Sequence, residues 1–321
     1  MKYIFIVNPV SGGGKNMKLI DDIEAAFAKK GRSDRFEKIY TEYKDHACRI
    51  ASEYSEKYGK DCIIVACGGD GTVHECANGL AYTETPLAVL PMGSGNDFSA
   101  KLYEPKCSPY TVAEELGFLS AAPKMRIRSI DMGKCNGSYF VGVMSMGFDT
   151  SVEVYADKIS RKIPKAAPLA YKLGLAAALP GKKKFSVNAD IFVQSTANGR
   201  TRRYPIRRRL DFTLIAVCNS GFYGGGFCPS PDAVLNDGLF EMCIASPCSF
   251  TDICYIAPMY KKGVAAEISK KVKLITVLGG KFTSTDGKPF VINCDGENMV
   301  SDCAEFTVEH KSLRLCTSMF R

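Results

Sequence analysis

Apolar and polar positions alternate along the chain in two different ways. From residue 1 to about 125, short apolar runs such as KYIFIV and DCIIVA are each followed by a longer segment with helical spacing, such as NMKLIDDIEAAFAKKG. Repeated succession of strand and helix predicts parallel strands covered by helices. After about residue 129, short strand-like runs separated by Gly and Asn turns predict an antiparallel sandwich or barrel.

The change of pattern divides the chain. We predict an α/β domain over residues 1–128 and a β-rich domain over 129–321, and leave open whether the last strand returns to the first domain. One helical interruption is predicted in the second domain, at residues 152–180, where lysines mix with apolar residues. Its most apolar part, residues 166–180, contains Lys172 and two prolines and is too short to span a bilayer, which takes about 20 apolar residues. Either it packs as two helices on the sandwich, or one face dips into lipid.

Composition narrows the class of protein. The 321 residues are 46% hydrophobic, enough for a full core. Fourteen cysteines show no C-x-x-C pair, and only three histidines accompany them, which disfavours a disulfide framework and a zinc site. Free thiols fit the cytosol. The first apolar run ends at Asn8-Pro9, too early for a signal peptide, so we expect a cytoplasmic protein.

Charge is concentrated in the second part of the chain. Residues 1–128 hold 17 Lys and Arg against 17 Asp and Glu, whereas the remainder holds 25 against 17, which accounts for the net charge of +8. The basic residues cluster at Lys182–Lys184 and Arg200–Arg209, with few aromatic residues between them. This arrangement favours an anionic membrane surface over nucleic acid, although a solvated basic hairpin explains it equally well.

Three glycine-rich loops follow strands of the first domain, at residues 8–15 (NPVSGGGK), 67–75 (CGGDGTVHE) and 91–99 (PMGSGNDFS). Ligands bind at the carboxyl ends of strands in open α/β sheets, and glycines let the backbone approach a phosphate. The first loop is not a Walker loop, because it lacks the required Ser or Thr after the lysine. Together, the three loops predict a site for a nucleotide polyphosphate.

Polar residues in these loops suggest further roles. Thr72 and Asn96 are predicted to cap the helices that follow. Asp70 is either a turn residue of a D-G dipeptide or an acid beside a phosphate, which requires a divalent cation or a proton between them.

These motifs resemble those of a known family. NPxSG, GGDGTxxE followed by NG, PMGSGNDF, GGGFCPSPDAVLNDGLFE and NCDGE occur in the order found in the diacylglycerol kinase catalytic-domain family, which includes bacterial soluble lipid kinases related to sphingosine and ceramide kinases. The resemblance runs through the whole chain. It implies a doubly wound, mostly parallel first domain like that of NAD kinase and phosphofructokinase, a mostly antiparallel β-sandwich as second domain, ATP as phosphate donor, and Mg²⁺.

The resemblance also implies site residues. Asp70 and Asp97 would face the reactive phosphate and its magnesium, and Asp237, with Val234 and Leu239, would hold a structural magnesium. The proton acceptor would be Glu297, with Asp295 and Asp70 as alternatives. The ATP-binding residues would be Asn8, Pro9, Ser11, Gly12, Thr41, Gly68, Gly69, Asp70, Gly71, Thr72, Val73, His74, Ser94, Asn96 and Asp97.

Two positions depart from the family pattern. Ser94 replaces the commoner Thr and keeps the hydroxyl, whereas His74 replaces Asn and makes that hydrogen bond pH-sensitive or removes it. The D-G of NCDGE is, taken alone, typical of a hairpin turn.

The expected function is transfer of the γ-phosphate of ATP to a lipid hydroxyl, with diacylglycerol as acceptor and phosphatidic acid as product, in phospholipid metabolism. The alternatives are an NAD kinase or another soluble small-molecule kinase, and a non-catalytic nucleotide or lipid sensor. The expected partner is a lipid at an anionic membrane surface, bound reversibly from the cytoplasmic side. Neither nucleic acid nor a transmembrane segment is expected, and a homodimer is left open.

Overall fold

A computed structural model describes residues 1–103, 107–120, 125–163, 170–181, 184–197 and 199–318. The chain divides into two compact units. The first comprises Met1–Met132 and His310–Arg321, and the second comprises Gly133–Glu309.

The first unit alternates strands and helices, as its sequence pattern predicts. Its elements are β1 (Lys2–Val7), α1 (Met17–Lys29), β2 (Phe36–Tyr40), α2 (His46–Tyr58), β3 (Cys62–Gly68), α3 (Asp70–Leu80), β4 (Leu87–Pro91), α4 (Asp97–Leu102), α5 (Pro109–Glu115) and the start of β5 (Arg126–Cys135). The last strand, β15 (Cys303–Thr317), returns residues 310–317 to this unit.

Five strands of the first unit form a parallel sheet in the order β2, β1, β3, β4, β15. Every residue of β3 is buried, as expected for a parallel strand covered on both faces. Helix α1 buries Leu19, Ile20, Ile23 and Phe27, which recur at helical spacing. The chain order reverses at β1 and β3, so the loops that follow these strands lie at the switch point where such sheets bind ligands.

The second unit is mainly antiparallel. Its strands are the end of β5, β6 (Ser138–Phe140), β7 (Val143–Gly147), β8 (Phe185–Ala197), β9 (Arg200–Phe212), β10 (Leu214–Cys218), β11 (Phe240–Ala245), β12 (Val272–Ser284), β13 (Phe290–Cys294), β14 (Glu297–Ser301) and residues 303–309 of β15. The order β14, β13, β7, β10, β11, β12, β15 is antiparallel throughout. Strands β8 and β9 form a long hairpin that pairs with β12 through β8. The predicted fold class is confirmed.

Alternating residues of these strands fill one core. Val187, Ala189, Ile191 and Val193 of β8 are buried, while the residues between them face outward. This period of two is what a half-buried strand requires. Residues from β7, β10, β12, β13 and β15 complete the same hydrophobic cluster.

The interruption at residues 152–180 contains two helices, α6 (Phe148–Lys162) and α7 (Ala170–Ala178). Phe148 and Val152 of α6 pack with Ala178 of α7 in a small hydrophobic cluster. Residues 164–169 of this segment lie outside the described part of the chain. Two packed helices were one of the two alternatives predicted for this segment.

The prediction of strands alone elsewhere in the second domain is wrong. Helices α8 (Phe250–Lys261) and α9 (Ala265–Ile268) lie between β11 and β12. Helix α8 is hard to predict from its sequence, because its apolar residues do not all lie on the buried face: Phe250 and Tyr255 are exposed, whereas Ile256 is buried. Pro258, a residue that usually breaks a helix, also lies inside it.

Helix α8 begins with a capping box. The Ser249 hydroxyl accepts from the Asp252 N–H at 3.2 Å, and the Asp252 carboxylate accepts from the Ser249 N–H at 2.7 Å. Two N–H groups that the helix itself leaves unpaired are satisfied in this way.

We expect Ser249→Ala to destabilise α8 by about 1 kcal/mol, because it removes the cap of the first turn. Hydrogen–deuterium exchange of the peptide covering α8 should quicken about fivefold. Ser195→Ala, at an exposed position of β8, serves as the control and should leave exchange in α8 unchanged. Equal exchange in both variants would contradict the role of the cap.

Candidate phosphate-binding loops and carboxylate sites

The three glycine-rich loops of the first unit touch one another. A Cβ atom added to Gly12 would lie 2.5 Å from the Met92 carbonyl oxygen, and one added to Gly93 would lie 2.3 Å from the Gly69 Cα. Both distances are too short for any side chain, so glycine is required at these contacts. The structure thus brings together the ends of β1, β3 and β4, as the sequence predicts.

Hydrogen bonds hold the loops in register. The Gly68 carbonyl accepts from the N–H groups of Met92 at 2.9 Å and Gly93 at 3.1 Å. The Asn96 side chain bridges both backbone groups of Gly93, at 3.0 and 2.9 Å. These bonds fix the second and third loops relative to each other.

Asp70 joins two helix starts. It is the first residue of α3, and its carboxylate accepts from the N–H groups of Asp97 at 3.1 Å and Phe98 at 3.0 Å, in the first turn of α4. These N–H groups have no partner within their own helix. Asp70 therefore acts as the cap of α4, supplied from a neighbouring loop.

The predicted caps by Thr72 and Asn96 are wrong, because neither side chain bonds to the first turn of its helix. Thr72 lies inside α3, where its hydroxyl accepts from the Asn8 amide at 3.4 Å and its side chain packs on Gly68. Asn96 does occupy the N-cap position of α4, but its side chain bonds to Gly93 instead of to the helix.

The remaining predicted nucleotide residues differ in exposure. Pro9 and Ser94 are exposed in the loops, Gly71 is exposed in the first turn of α3, and Ser11 is partly exposed. Thr41 lies at the end of β2, where its N–H donates to the Val7 carbonyl at 2.9 Å.

Two predicted residues turn their side chains away from solvent. Val73 and His74 are buried in α3, so these side chains belong to the interior of the unit. The Asn78 amide contacts the His74 ring at 3.3 Å and donates to the His74 carbonyl at 2.9 Å. Histidine at this position therefore keeps a polar partner within its own helix.

Sequence reasoning missed the role of Glu75. Its carboxylate accepts from the Ala47 N–H at 3.0 Å, in the first turn of α2. No local signal indicates this role, because the two residues lie far apart in sequence. Two acids of one motif, Asp70 and Glu75, thus cap two different helices.

In the second unit, Asp295 and Gly296 form the two-residue turn between β13 and β14. Both have positive φ, 53° and 94°, which matches the D-G hairpin turn typical of this dipeptide. The Asp295 carboxylate accepts three backbone N–H groups, from Val141 at 2.7 Å, Gly142 at 2.8 Å and Val143 at 3.0 Å. Asp295 thereby ties this turn to the start of β7.

Glu297 is the next residue of the motif and begins β14. It pairs with Cys294 across the hairpin and is partly exposed. Asn293 stabilises the turn from the other side, because its side-chain Oδ1 atom accepts from the Gly296 N–H at 2.9 Å. The backbone that carries Glu297 is thus fixed at both ends of the turn.

The segment predicted to hold a structural magnesium is an exposed turn. Asp237 is exposed, and its carboxylate accepts from the Leu239 N–H at 3.0 Å, while the Val234 side chain is 46% exposed. Burial, and then the negative charges of Asp237 and Asp232, raise the pKa of Glu241. These three carboxylates concentrate negative charge at the turn, and a hard cation such as Mg²⁺ prefers oxygen ligands.

Side chains alone do not build a metal centre. Within the described ranges, no three His, Cys, Asp or Glu side chains lie close enough together to hold a metal ion. A magnesium ion at the segment 234–239 would therefore depend on backbone carbonyls and water as its other ligands.

Comparison with known proteins assigns the class. The family model described as the diacylglycerol kinase catalytic domain matches residues 2–135, and the model described as the YegS C-terminal NAD kinase beta sandwich-like domain matches residues 142–317. The chain belongs to the lipid kinase family in which a diacylglycerol kinase catalytic domain is followed by this YegS C-terminal domain.

The individual relatives have low sequence identity to this chain, but their alignments cover more than half of both chains. The chain is 27% identical over 270 residues to the diacylglycerol kinase of Bacillus subtilis (strain 168), covering 82% of each chain. It is 26% identical over 316 residues to the diacylglycerol kinase of Mycobacterium tuberculosis, covering 94% of this chain and 88% of the relative. A "Probable lipid kinase YegS-like" of Pseudomonas putida is 31% identical over 56% of this chain and 55% of its own.

Solved structures agree on the fold. A crystal structure described as a diacylglycerol kinase from Bacillus anthracis str. Sterne superposes with a TM-score of 0.64 at 19% identity, covering 98% of this chain and 96% of that one.

We expect Asp70→Ala to loosen the start of α4, because it removes both acceptors of the Asp97 and Phe98 N–H groups. Hydrogen bonds to a charged acceptor contribute about 1.5–3 kcal/mol each, so amide exchange over residues 93–102 should quicken at least tenfold. Asp70→Asn retains one acceptor oxygen, so its amide exchange rate should lie between those of Asp70→Ala and the wild type. Unchanged exchange in Asp70→Ala, as in the control Asp61→Ala, would refute the capping role.

Proposed function

We propose that this chain is an ATP-dependent lipid kinase that transfers the γ-phosphate of ATP to a lipid hydroxyl, with diacylglycerol as acceptor and phosphatidic acid as product, in phospholipid metabolism. The observation that carries the proposal is the contact of the three glycine-rich loops at the switch point of the parallel sheet. The names of the relatives support diacylglycerol as acceptor.

Backbone groups would hold the nucleotide phosphates. Gly68 and Gly69 lead directly into α3, whose N-terminal end favours an anion. The Ser11 side chain lies close to Gly69, and the Asn8 amide donates to the Thr72 hydroxyl at 3.4 Å. Gly12 packs against Met92 of the third loop. Transfer of a phosphoryl group requires alignment and neutralisation of charge, which Mg²⁺ supplies when it is bound. Asp97 and Asp70 would hold that ion, in addition to the bonds that Asp70 makes to α4.

Glu297 is the acid that we assign as the proton acceptor for the lipid hydroxyl. Asp295 accepts three backbone N–H groups, and Asp70 accepts two, so both side chains position the backbone, and Asp70 would also hold the metal ion. A general base needs an oxygen that reaches the substrate proton. Glu297 follows the fixed turn and is partly exposed, which suits this role.

A second candidate function is phosphorylation of NAD. The description of the second family model, which names an NAD kinase sandwich, favours it. The presence of PMGSGNDF together with NPVSG supports the lipid kinase instead. A non-catalytic sensor would require loss of an acid, but Asp70, Asp97, Asp237 and Glu297 are all present.

Labelled γ-phosphate from ATP should appear on diacylglycerol in mixed micelles with magnesium, and removal of the metal by chelation should abolish transfer. NAD and sugar phosphates serve as the comparison acceptors. Label on another lipid would retain the lipid kinase and change its acceptor. Label on NAD alone would establish the second candidate.

Within the same assay, Glu297→Gln should lower kcat by about 10²–10⁴, the usual contribution of a general base, while the Kd for ATP stays within about twofold. Glu267→Gln, on the exposed face of α9, is the matched control. Turnover retained by Glu297→Gln would move the role to Asp295 or Asp70.

We further propose reversible binding to anionic membranes through the basic hairpin β8–β9. Exposed Arg202, Arg203 and Arg208 lie on β9. Part of the positive charge is balanced within the hairpin, because Arg207 pairs with Asp190 at 2.8 Å. No helix in the described part of the chain is long and apolar enough to span a bilayer.

The second predicted basic cluster, Lys182–Lys184, directly precedes the hairpin in sequence. Lys184 pairs with Asp211 at 3.0 Å, while Lys182 and Lys183 lie outside the described residues.

Replacing Arg202, Arg203 and Arg208 by Gln should weaken binding to phosphatidylglycerol vesicles at least tenfold, because each basic residue near an anionic surface contributes about 1 kcal/mol. Raising the salt concentration should remove most binding of the wild type. The control replaces Lys29, Lys57 and Lys60 of the first unit, which removes the same charge elsewhere. Equal binding by both triple variants would exclude the hairpin as the contact surface.

A further inference from the structure

Helix α8 turns a side rich in apolar residues toward solvent. Its exposed residues recur at helical spacing, so they share one side of the helix. They are Phe250, Thr251, Cys254, Tyr255, Pro258 and Lys261. The opposite side carries Ile256 and Tyr260, which are buried in a hydrophobic cluster of the second unit. The helix is therefore anchored by one side, and the exposed side takes no part in the core.

The aromatic residues of the exposed side are more accessible than packing requires. Phe250 is 52% exposed and Tyr255 is 60% exposed. Helix α9 packs against both α8 and β12, and these elements expose two further large apolar side chains, Ile268 and Leu274. One exposed apolar residue needs no explanation, but several on neighbouring elements indicate an interaction surface.

The charge of this side is positive. Within α8, which the structure describes completely, Asp252 is the one acid, and its carboxylate pairs with Lys271 at 2.5 Å. Lys261 and Lys262 are exposed at the end of the helix. Lys261 lies over the Phe227 ring, with its Nζ atom 5.9 Å from the ring centroid, and keeps its charge there. The exposed side therefore combines aromatic rings with positive charge.

The segment after α8 has the same balance of charge. Residues 262–273 are all described, and their exposed basic side chains are Lys262, Lys270 and Lys273. Glu267 is the one exposed acid among them. The path from α8 to the start of β12 therefore adds to the positive charge.

The tip of the basic hairpin lies at this end of the sheet. Gln194 of β8 pairs with Thr276 of β12, and because the pairing is antiparallel, β8 continues from Gln194 toward Val272, where β12 begins. The exposed Arg200 and Arg202 pair with this last part of β8. The hairpin tip and the segment that leads into β12 therefore add positive charge at the same end.

This combination suits an anionic lipid surface. In helices that lie in a membrane interface, aromatic rings enter the boundary between headgroups and acyl chains, and basic side chains meet the lipid phosphates. A second copy of the chain suits this side poorly, because two positive surfaces would face each other.

We propose that the exposed side of α8 is a membrane contact, in which Phe250 and Tyr255 insert among the headgroups of an anionic lipid surface while Lys261 and Lys262 lie against the phosphates. The inference rests on the proposed function only in that a lipid kinase reaches its acceptor at a surface. It adds to the hairpin a contribution that salt does not screen, because buried apolar area depends little on charge.

A fluorescent reporter tests the contact directly. The chain contains no tryptophan, so Tyr255→Trp introduces a single one. On addition of phosphatidylglycerol vesicles without nucleotide, its emission should shift to shorter wavelength. Brominated acyl chains should quench it at least about twofold, as expected for a ring buried about 5–10 Å into the interface. Tyr82→Trp, at a position of the first unit that is also 60% exposed, is the matched control and should show neither change.

Affinity separates the rings from the lysines. Phe250→Ser combined with Tyr255→Ser should weaken sedimentation with the same vesicles at least about tenfold, at low and at high salt alike, because apolar burial is lost. Lys261→Gln combined with Lys262→Gln should weaken it at least about tenfold at low salt and much less at high salt. Tyr82→Ser should bind as the wild type does.

Each contrary result has a distinct meaning. A Tyr255→Trp protein that sediments with vesicles without a change in emission would overturn the inference and leave the hairpin as the contact. A double serine variant that keeps its vesicle affinity would overturn it as well, and if that variant also dissociated an oligomer of the wild type, the surface would be an interface between copies. Failure to transfer label to any lipid would count against the kinase proposal alone, because vesicle binding is measured without ATP.

Discussion

Carboxylates that accept backbone N–H groups from distant segments organise both units. Asp70 holds the start of α4, Glu75 holds the start of α2, and Asp295 holds residues 141–143. In each case, one charged side chain satisfies N–H groups that regular structure leaves unpaired. Asp70 thereby links the end of the third glycine-rich loop to α3, and Asp295 links the turn before Glu297 to the start of β7.

The parallel sheet and its loops follow from local pattern, so the sequence predicts them well. Buried β-branched runs such as β3, and glycines at the strand ends, act through neighbours in the chain. The capping partners of Asp70 and Asp295 lie 27 and 154 residues away in the chain, and no local rule detects them. Helix α8 escaped prediction because it has apolar side chains on two faces and an internal proline.

The net charge counted from composition overstates the electrostatic attraction between the hairpin β8–β9 and an anionic surface. Two basic side chains meet acids that lie close only after the strands pair: Arg207 of β9 meets Asp190 of β8, and Lys184, just before β8, meets Asp211 of β9. The register of the hairpin brings these partners together, and surface pairs of this kind contribute little to stability. Their main effect is on the number of positive charges left to attract an anionic surface.

The end of β15 belongs to the first unit, so this unit is encoded by two separate stretches of the gene. Residues 303–307 pair with β12 in the second unit, and Leu315 pairs with Leu87 of β4 in the first. A gene fragment ending at residue 132 would therefore encode a sheet with the β4 edge unpaired, and such edges promote aggregation. Gene fusion therefore cannot transfer the first unit as one contiguous block. Residues 133–309, by contrast, form a single segment that can be inserted between the two parts of the first unit.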